Sequence, residues 1–258
     1  MNAWLRGVTR LLLLIAASAL ALQLYFLLRV ALMITVDPQS TTFQRSEMWR
    51  MLAEQHRIVW SQRWVPYERI SPQLKRAVIA SEDASFAEHS GVDWDALEKA
   101  WERNLKAEMR AERANDQLAR RAARSDSAGA PRKVQAKIVG GSTITQQLAK
   151  NLFLSSERAV ARKAQEFVIT LMLESLLSKQ RILEIYLNNV EWGEGLFGAE
   201  AAARHYFHVS AGQLGAYPSA RLAVMLPAPK RFEKRPGSAY VAGRAATIVA
   251  RMGDVEPP

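Results

Sequence analysis

From Leu11 to Leu28 the sequence LLLLIAASALALQLYFLL carries no charge, with Arg6 and Arg10 before it and Arg29 after it. A helix that crosses the hydrocarbon core of a bilayer needs about 20 apolar residues, and Val30–Val36 extends this run once Arg29 snorkels to the interface. Residues 1–10 are therefore read as a cytoplasmic N-terminus and 11–36 as a transmembrane anchor. A cleaved leader, with Ala17-Ser18-Ala19 as its processing site, is the alternative; the apolar run continues well past that site, which favours an anchor. Cations on the short N-terminal flank place that end in the cytoplasm and export the rest, and the fold is expected to lie outside the anchor.

The exported part has the means to build a core. Hydrophobic residues make up 49% of the 258, too many for a disordered chain. Cysteine is absent, which excludes disulfide frameworks, thiolate metal sites and cysteine nucleophiles. The net charge of +10 points at first to nucleic acid or an anionic surface. Most of it, however, sits in residues 1–36 and in one insert at 104–137, leaving the body near neutral. No continuous basic face results, so nucleic acid is not expected as a partner.

After a stalk at 37–61, apolar residues recur at spacings of three and four and no stretch alternates, which predicts a mostly α domain over 62–258. Ser71-Pro72 opens a helix through PQLKRAVIASED, Ser as cap and Pro at the first position. Asp93 or Asp95 caps the next. The insert is rich in Arg and Ala and poor in large apolar residues. Its first half suits an exposed helix, and its SDSAGAP stretch a mobile loop. Ala159–Leu187 reads as two helices hinged near Ser178.

Three clusters carry chemistry. In Glu82-Asp83-x-x-Phe86-x-x-His89-x-Gly91, Glu82 follows Leu74 and Val78 on one helical stripe, a carboxylate where an apolar residue belongs. Burial there raises its pKa toward neutrality, which suits a general acid or base; a structural Glu–Arg pair is the competing reading. In Gly140-Gly141-Ser142-Thr143-Ile144-Thr145-Gln146-Gln147-Leu148-Ala149-Lys150-Asn151, Ser142 or Thr143 caps a helix whose free N–H groups would form an anion site. Gln146, Gln147, Lys150 and Asn151 add donors suited to sugar hydroxyls and phosphate. In Arg158-x-x-x-Arg162-Lys163-x-x-Glu166, cations sit one turn before a carboxylate on the same face, either an ordered cationic site or a surface ion pair. Glu82 and Glu166 would then occupy contrasting environments, apolar and cationic, the usual way of dividing acid–base roles.

These motifs, with Lys179-Gln180-Arg181-Ile182-Leu183-Glu184-Ile185-Tyr186-Leu187-Asn188 and Gly198-x-x-Ala201-Ala202-x-x-x-Tyr206-Phe207, occur in the order of those of the peptidoglycan glycosyltransferases, glycosyltransferase family 51. The resemblance covers about residues 62–232. No Ser-x-x-Lys occurs, so the likeness is to the monofunctional branch, without the transpeptidase of penicillin-binding relatives. It implies a lysozyme-like helical domain that polymerises lipid II into linear glycan with inversion, releasing undecaprenyl pyrophosphate.

By the same resemblance, Glu82 and Glu166 would be catalytic. Asp83, Phe86, His89, Ser142, Thr143, Gln146, Gln147, Lys150, Asn151, Arg158, Arg162, Lys163 and Asn188 would bind substrate, and a divalent cation, Mg²⁺ or Mn²⁺, would assist at the pyrophosphate. Implied partners are lipid II, the growing glycan, membrane lipids and other cell-wall synthesis proteins, with the catalytic domain periplasmic on the bacterial inner membrane. Two departures stand out: the long insert, and Pro218 where the fifth motif commonly has Glu. The rival readings are a glycan-cleaving lysozyme-like enzyme and an inactive envelope scaffold.

Overall fold

The computed structural model describes residues 3–122, 133–136, 140–154 and 160–258, in two compact units, 1–91 with 143–258 and 92–142. The larger unit opens with α1 (Ala3–Leu32), one helix long and apolar enough to cross a bilayer. Trp4 to Leu22 is exposed on every face. Further on, Phe26, Val30 and Met33, spaced four and three apart, turn a buried stripe into the protein core. Phe26 meets Phe153 edge-on at 5.3 Å. Gln23 and Gln165 exchange hydrogen bonds of 2.8 and 3.0 Å. Arg181 donates to the Met33 carbonyl and pairs with Asp37 and Glu184. The expectation that the fold lies outside the anchor is therefore corrected: the last third of α1 belongs to the core.

The segment 37–61 is likewise more than a stalk. It contains α2 (Thr42–Gln55), closed at its start by a reciprocal Thr41–Gln44 capping box. The Gln44 amide donates to the Asn189 carbonyl and Thr42 to the Leu152 carbonyl. Its polar residues outnumber its apolar ones, yet α2 docks through those hydrogen bonds, the fully buried Met51 and Phe43, whose ring meets Phe197 edge-on at 6.5 Å.

The next helix, α3 (Pro72–Glu82), starts as the sequence dictates, the Ser71 hydroxyl accepting from the Gln73 N–H and Pro72 at the first position. In the smaller unit, Asp93 accepts from the Ala96 N–H and caps α4 (Trp94–Ala122). This helix takes up 104–122 of the insert. Asn115 exchanges hydrogen bonds with the backbone of Val134 at 2.7 and 3.0 Å, so the segment 133–136 returns along α4. The SDSAGAP stretch lies outside the described residues.

Three helices follow in the larger unit: α5 (Ile144–Phe153), α6 (Val160–Leu176) and α7 (Lys179–Asn189), the last capped by Ser178 at the expected hinge. A small sheet comes next in the order β1 (Ser61–Gln62), β3 (Leu196–Phe197), β2 (Glu191–Gly193), with β1 parallel and β2 antiparallel to the central strand. Gly195 turns between β2 and β3 at φ +69°, where a Cβ would lie 2.1 Å from the Val59 carbonyl oxygen. Four helices, α8 (Ala199–Phe207), α9 (Ala216–Met225), α10 (Pro229–Phe232) and α11 (Ala239–Arg251), complete the chain. Packing of α9 on both α3 and α11 forms one side of the core. Pro218 stands in the first turn of α9, where its missing N–H leaves no intrahelical bond unmade.

One buried acid bears on stability. Glu191 on β2 faces Lys230 at 3.6 Å, while Lys230 also pairs with Glu47 of α2. Burial, with Glu47 and Glu233 nearby, pushes its pKa to about 7 against the pull of Lys230. A carboxyl that holds its proton more tightly when folded costs stability as pH climbs from the usual carboxylate range to about 7. Glu191→Gln is therefore expected to raise the unfolding temperature at pH 8 and to leave it nearly unchanged at pH 4, which thermal melts at the two pH values check.

Candidate active site

Glu82 is the last residue of α3, at the end of the stripe of fully buried Leu74 and Val78. Its Oε2 accepts from the Gln147 amide at 3.0 Å, and its Oε1 lies 3.4 Å from the Ser81 hydroxyl. Burial raises its pKa above the ordinary glutamate value; the Gln147 and Ser81 bonds oppose this and the charge of Asp83 adds to it. A carboxylate poised in this way takes protons more readily than an exposed one.

The neighbouring Asp83 is committed to structure. One oxygen accepts from His89 Nε2 at 2.8 Å and the other from the Ile144 N–H at 2.9 Å. The Gly91 N–H donates to His89 Nδ1, which leaves Nε2 to donate to Asp83. Asp83 thus fills the N-terminus of α5, where a helix favours negative charge. Thr143 caps the same end, accepting from the Gln146 N–H and donating to the Gly91 carbonyl at 2.6 Å, while the Gln146 side chain closes the capping box. The expected anion site at this helix start is therefore occupied by the protein's own carboxylate.

That arrangement gives several of the residues expected to bind substrate a role in the fold as well. Asp83, His89, Thr143 and Gln146 form the clasp between α3 and α5. Phe86 is fully buried, with the Lys179 ammonium 4.7 Å from its ring centre. Asn188 is buried and bonded to the Val65 backbone in both directions. Ser142 is exposed and belongs to the smaller unit, and Arg158 lies outside the described residues. Gly91 is needed for the clasp: it has φ +90°, and a Cβ there would come within 2.7 Å of Thr170 and 2.8 Å of Glu174 on α6.

Gln147, Lys150 and Asn151 share one face of α5 at i, i+3 and i+4. Gln147 reaches Glu82, and Lys150 stands at the field of the α6 cluster. There Glu166, with a side chain only 5% exposed, accepts from Arg162 at 3.0 Å and from Lys163 on its other oxygen. Both its oxygens are engaged, so this carboxylate orients cations. Crowding around Lys150 lowers its pKa; Glu166 works against that shift, and Arg162 and Lys163 work with it. Among the described residues no three Asp, Glu or His side chains converge on a metal position. With Glu166 already paired, the donor set does not fit a resident divalent ion.

Pattern reading missed two groups that touch this site. Ser81 is one. The other is Tyr186 on α7, fully buried, whose hydroxyl donates to Gln147 Oε1 at 2.9 Å. Its position on the apolar stripe with Ile182 and Ile185 concealed it, and only a buried phenol's need for a partner hinted at it.

The Transglycosylase family model matches residues 50–139 and 123–253 of the chain, the two stretches meeting within the insert. Biosynthetic peptidoglycan transglycosylases of Burkholderia multivorans (strain ATCC 17616 / 249) and Burkholderia orbicola (strain MC0-3) are each 49% identical over 244 residues, and that of Burkholderia ambifaria (strain MC40-6) is 48% identical. Each alignment covers 94% of this chain and 88% of the relative.

Proposed function

This chain belongs to the transglycosylase family and is a glycosyltransferase that polymerises peptidoglycan glycan in cell-wall synthesis, and on that premise we propose that Glu82 is its general base. The observation that carries the reading is the face of α5, which joins a buried carboxylate at Gln147 to a cation cluster at Lys150. In the proposed step Glu82 takes the proton of the acceptor's sugar 4-hydroxyl. The freed oxygen attacks the anomeric carbon of the donor as the bond to undecaprenyl pyrophosphate breaks, which inverts the centre. Lys150, Arg162 and Lys163 offset the charge growing on the pyrophosphate, and Glu166 holds the last two in place.

The expected divalent cation is proposed to arrive on the substrate's pyrophosphate, since these side chains offer no cage for it. We further propose that α1 crosses the inner membrane with Arg6 and Arg10 on the cytoplasmic side and the catalytic unit in the periplasm, which keeps the site beside a substrate whose tail stays in the bilayer. Membrane lipids and other cell-wall synthesis proteins are proposed as partners on the same ground. A glycan-cleaving enzyme has no use for three cations beside its acid, which disfavours that rival.

The test is incubation of the full chain with lipid II, followed by digestion of the product with lysozyme. Lys163→Ala is expected to slow polymerisation about 10–100-fold, the effect of losing one charge-assisted contact. Its unfolding temperature should barely move, because Lys163 is 55% exposed and such pairs contribute little to stability. A native rate in that variant would return the cluster to a surface ion pair.

A further inference from the structure

We propose that Tyr186 is a positioning residue that fixes which end of the Gln147 amide faces Glu82. The inference rests on the reading of Glu82 as the general base and concerns how that base is kept ready.

A glutamine amide has a donor end and an acceptor end, related by a half-turn. Only the donor end suits a charged carboxylate. Here Gln147 Nε2 donates to Glu82, and its Oε1 accepts from the Tyr186 hydroxyl. If the amide turned over, Nε2 would point at the Tyr186 oxygen and Oε1 at Glu82. Among the described residues the Tyr186 hydroxyl has no second acceptor, and the ring is fully buried. The turned-over state would strand a buried O–H, which is why the tyrosine selects the observed one.

Among the described residues the groups acting on Glu82 are few, the Ser81 hydroxyl being the first. Asp83 follows it on the chain, α5 contributes the neutral Gln147, and α7 contributes Tyr186, whose own ionisation is suppressed by burial and by the two acids. Among the described residues, α9, α11 and the 3-10 turn Met252–Asp254, which pack on α3, bring no charge that acts on it, Asp254 included. The amide bond from Gln147 favours the charged base, and Tyr186 guards that bond.

Tyr186→Phe keeps the ring and removes the hydroxyl. The expected result is an acidic limb of the lipid II polymerisation profile displaced upward by about one pH unit, a tenfold loss of rate below it. The rate should recover at alkaline pH, with the substrate concentration for half-maximal rate little changed. Gln147→Met should shift the limb in the same direction, and the double variant should be no worse than Gln147→Met alone. An unshifted limb in a folded Tyr186→Phe enzyme overturns the proposal. So does a double variant whose loss is the product of the two single losses. Should the phenylalanine variant not fold, Tyr186→3-fluorotyrosine decides: a stronger donor moves the limb down, and no movement overturns the proposal. If Glu82→Gln remains active, the reading of the base has failed; if it is inactive and the tyrosine variants are silent, only this inference has.

Discussion

Glu82→Gln is expected to lower lipid II polymerisation about 10²–10⁴-fold, the range for loss of a general base. The amide has nearly the same shape and still meets Gln147, but it cannot take the acceptor's proton. Stability should move in the opposite direction. Burial raises the Glu82 pKa, so the folded state holds that proton more tightly than the unfolded chain, and stability is lost as pH rises through the raised value. A neutral amide removes the penalty, and the variant should melt at or above the native temperature at pH 8. A catalytic group that costs stability is what a trade-off between activity and stability predicts. Glycan synthesis and thermal melts on the same preparation check both halves, and near-native turnover would sink the assignment.

What the sequence disclosed followed from local rules. Ser71-Pro72 announced the start of α3, and the spacing of Leu74, Val78 and Glu82 placed a carboxylate on a buried stripe, because helical period and cap chemistry act within a few residues. The ion pairs of Glu166 with Arg162 and Lys163 were legible for the same reason, lying four and three residues apart. What stayed hidden is long-range. The bond from the Ile144 N–H to Asp83 spans 61 residues and that from Tyr186 to Gln147 spans 39, and no local pattern encodes either. Thus the polar motif residues looked alike in sequence, while the fold divides them into a clasp that holds α3 to α5 and a face that joins Glu82 to the cations of α6. The polar α2 and the tail of α1 were misjudged for a related reason, since composition cannot tell which surface a segment will meet.

The tail of α1 leads to the largest expected effect on stability. Deleting residues 1–36 removes Phe26, Val30 and Met33, all buried, together with the Gln23–Gln165 pair and the carbonyl that Arg181 holds. Each buried apolar side chain of this size contributes about 1.5–3 kcal/mol, so the loss is on the order of 5 kcal/mol, against a total of about 5–15 for a folded domain. At about 2–4 °C per kcal/mol, the unfolding temperature should fall by about 10–20 °C. Deleting only residues 1–22 spares every one of those contacts, because Trp4 to Leu22 is exposed. That shorter truncation should melt close to the full chain and polymerise detergent-dispersed lipid II, losing efficiency only on bilayers, where an anchor raises the local concentration of enzyme at its substrate. Melting both truncations in one detergent separates the two parts of the helix. Equal unfolding temperatures would mean that the docked third contributes nothing, whereas the expected gap makes residues 23–36 part of the fold and leaves 4–22 as an exposed apolar segment compatible with membrane anchoring.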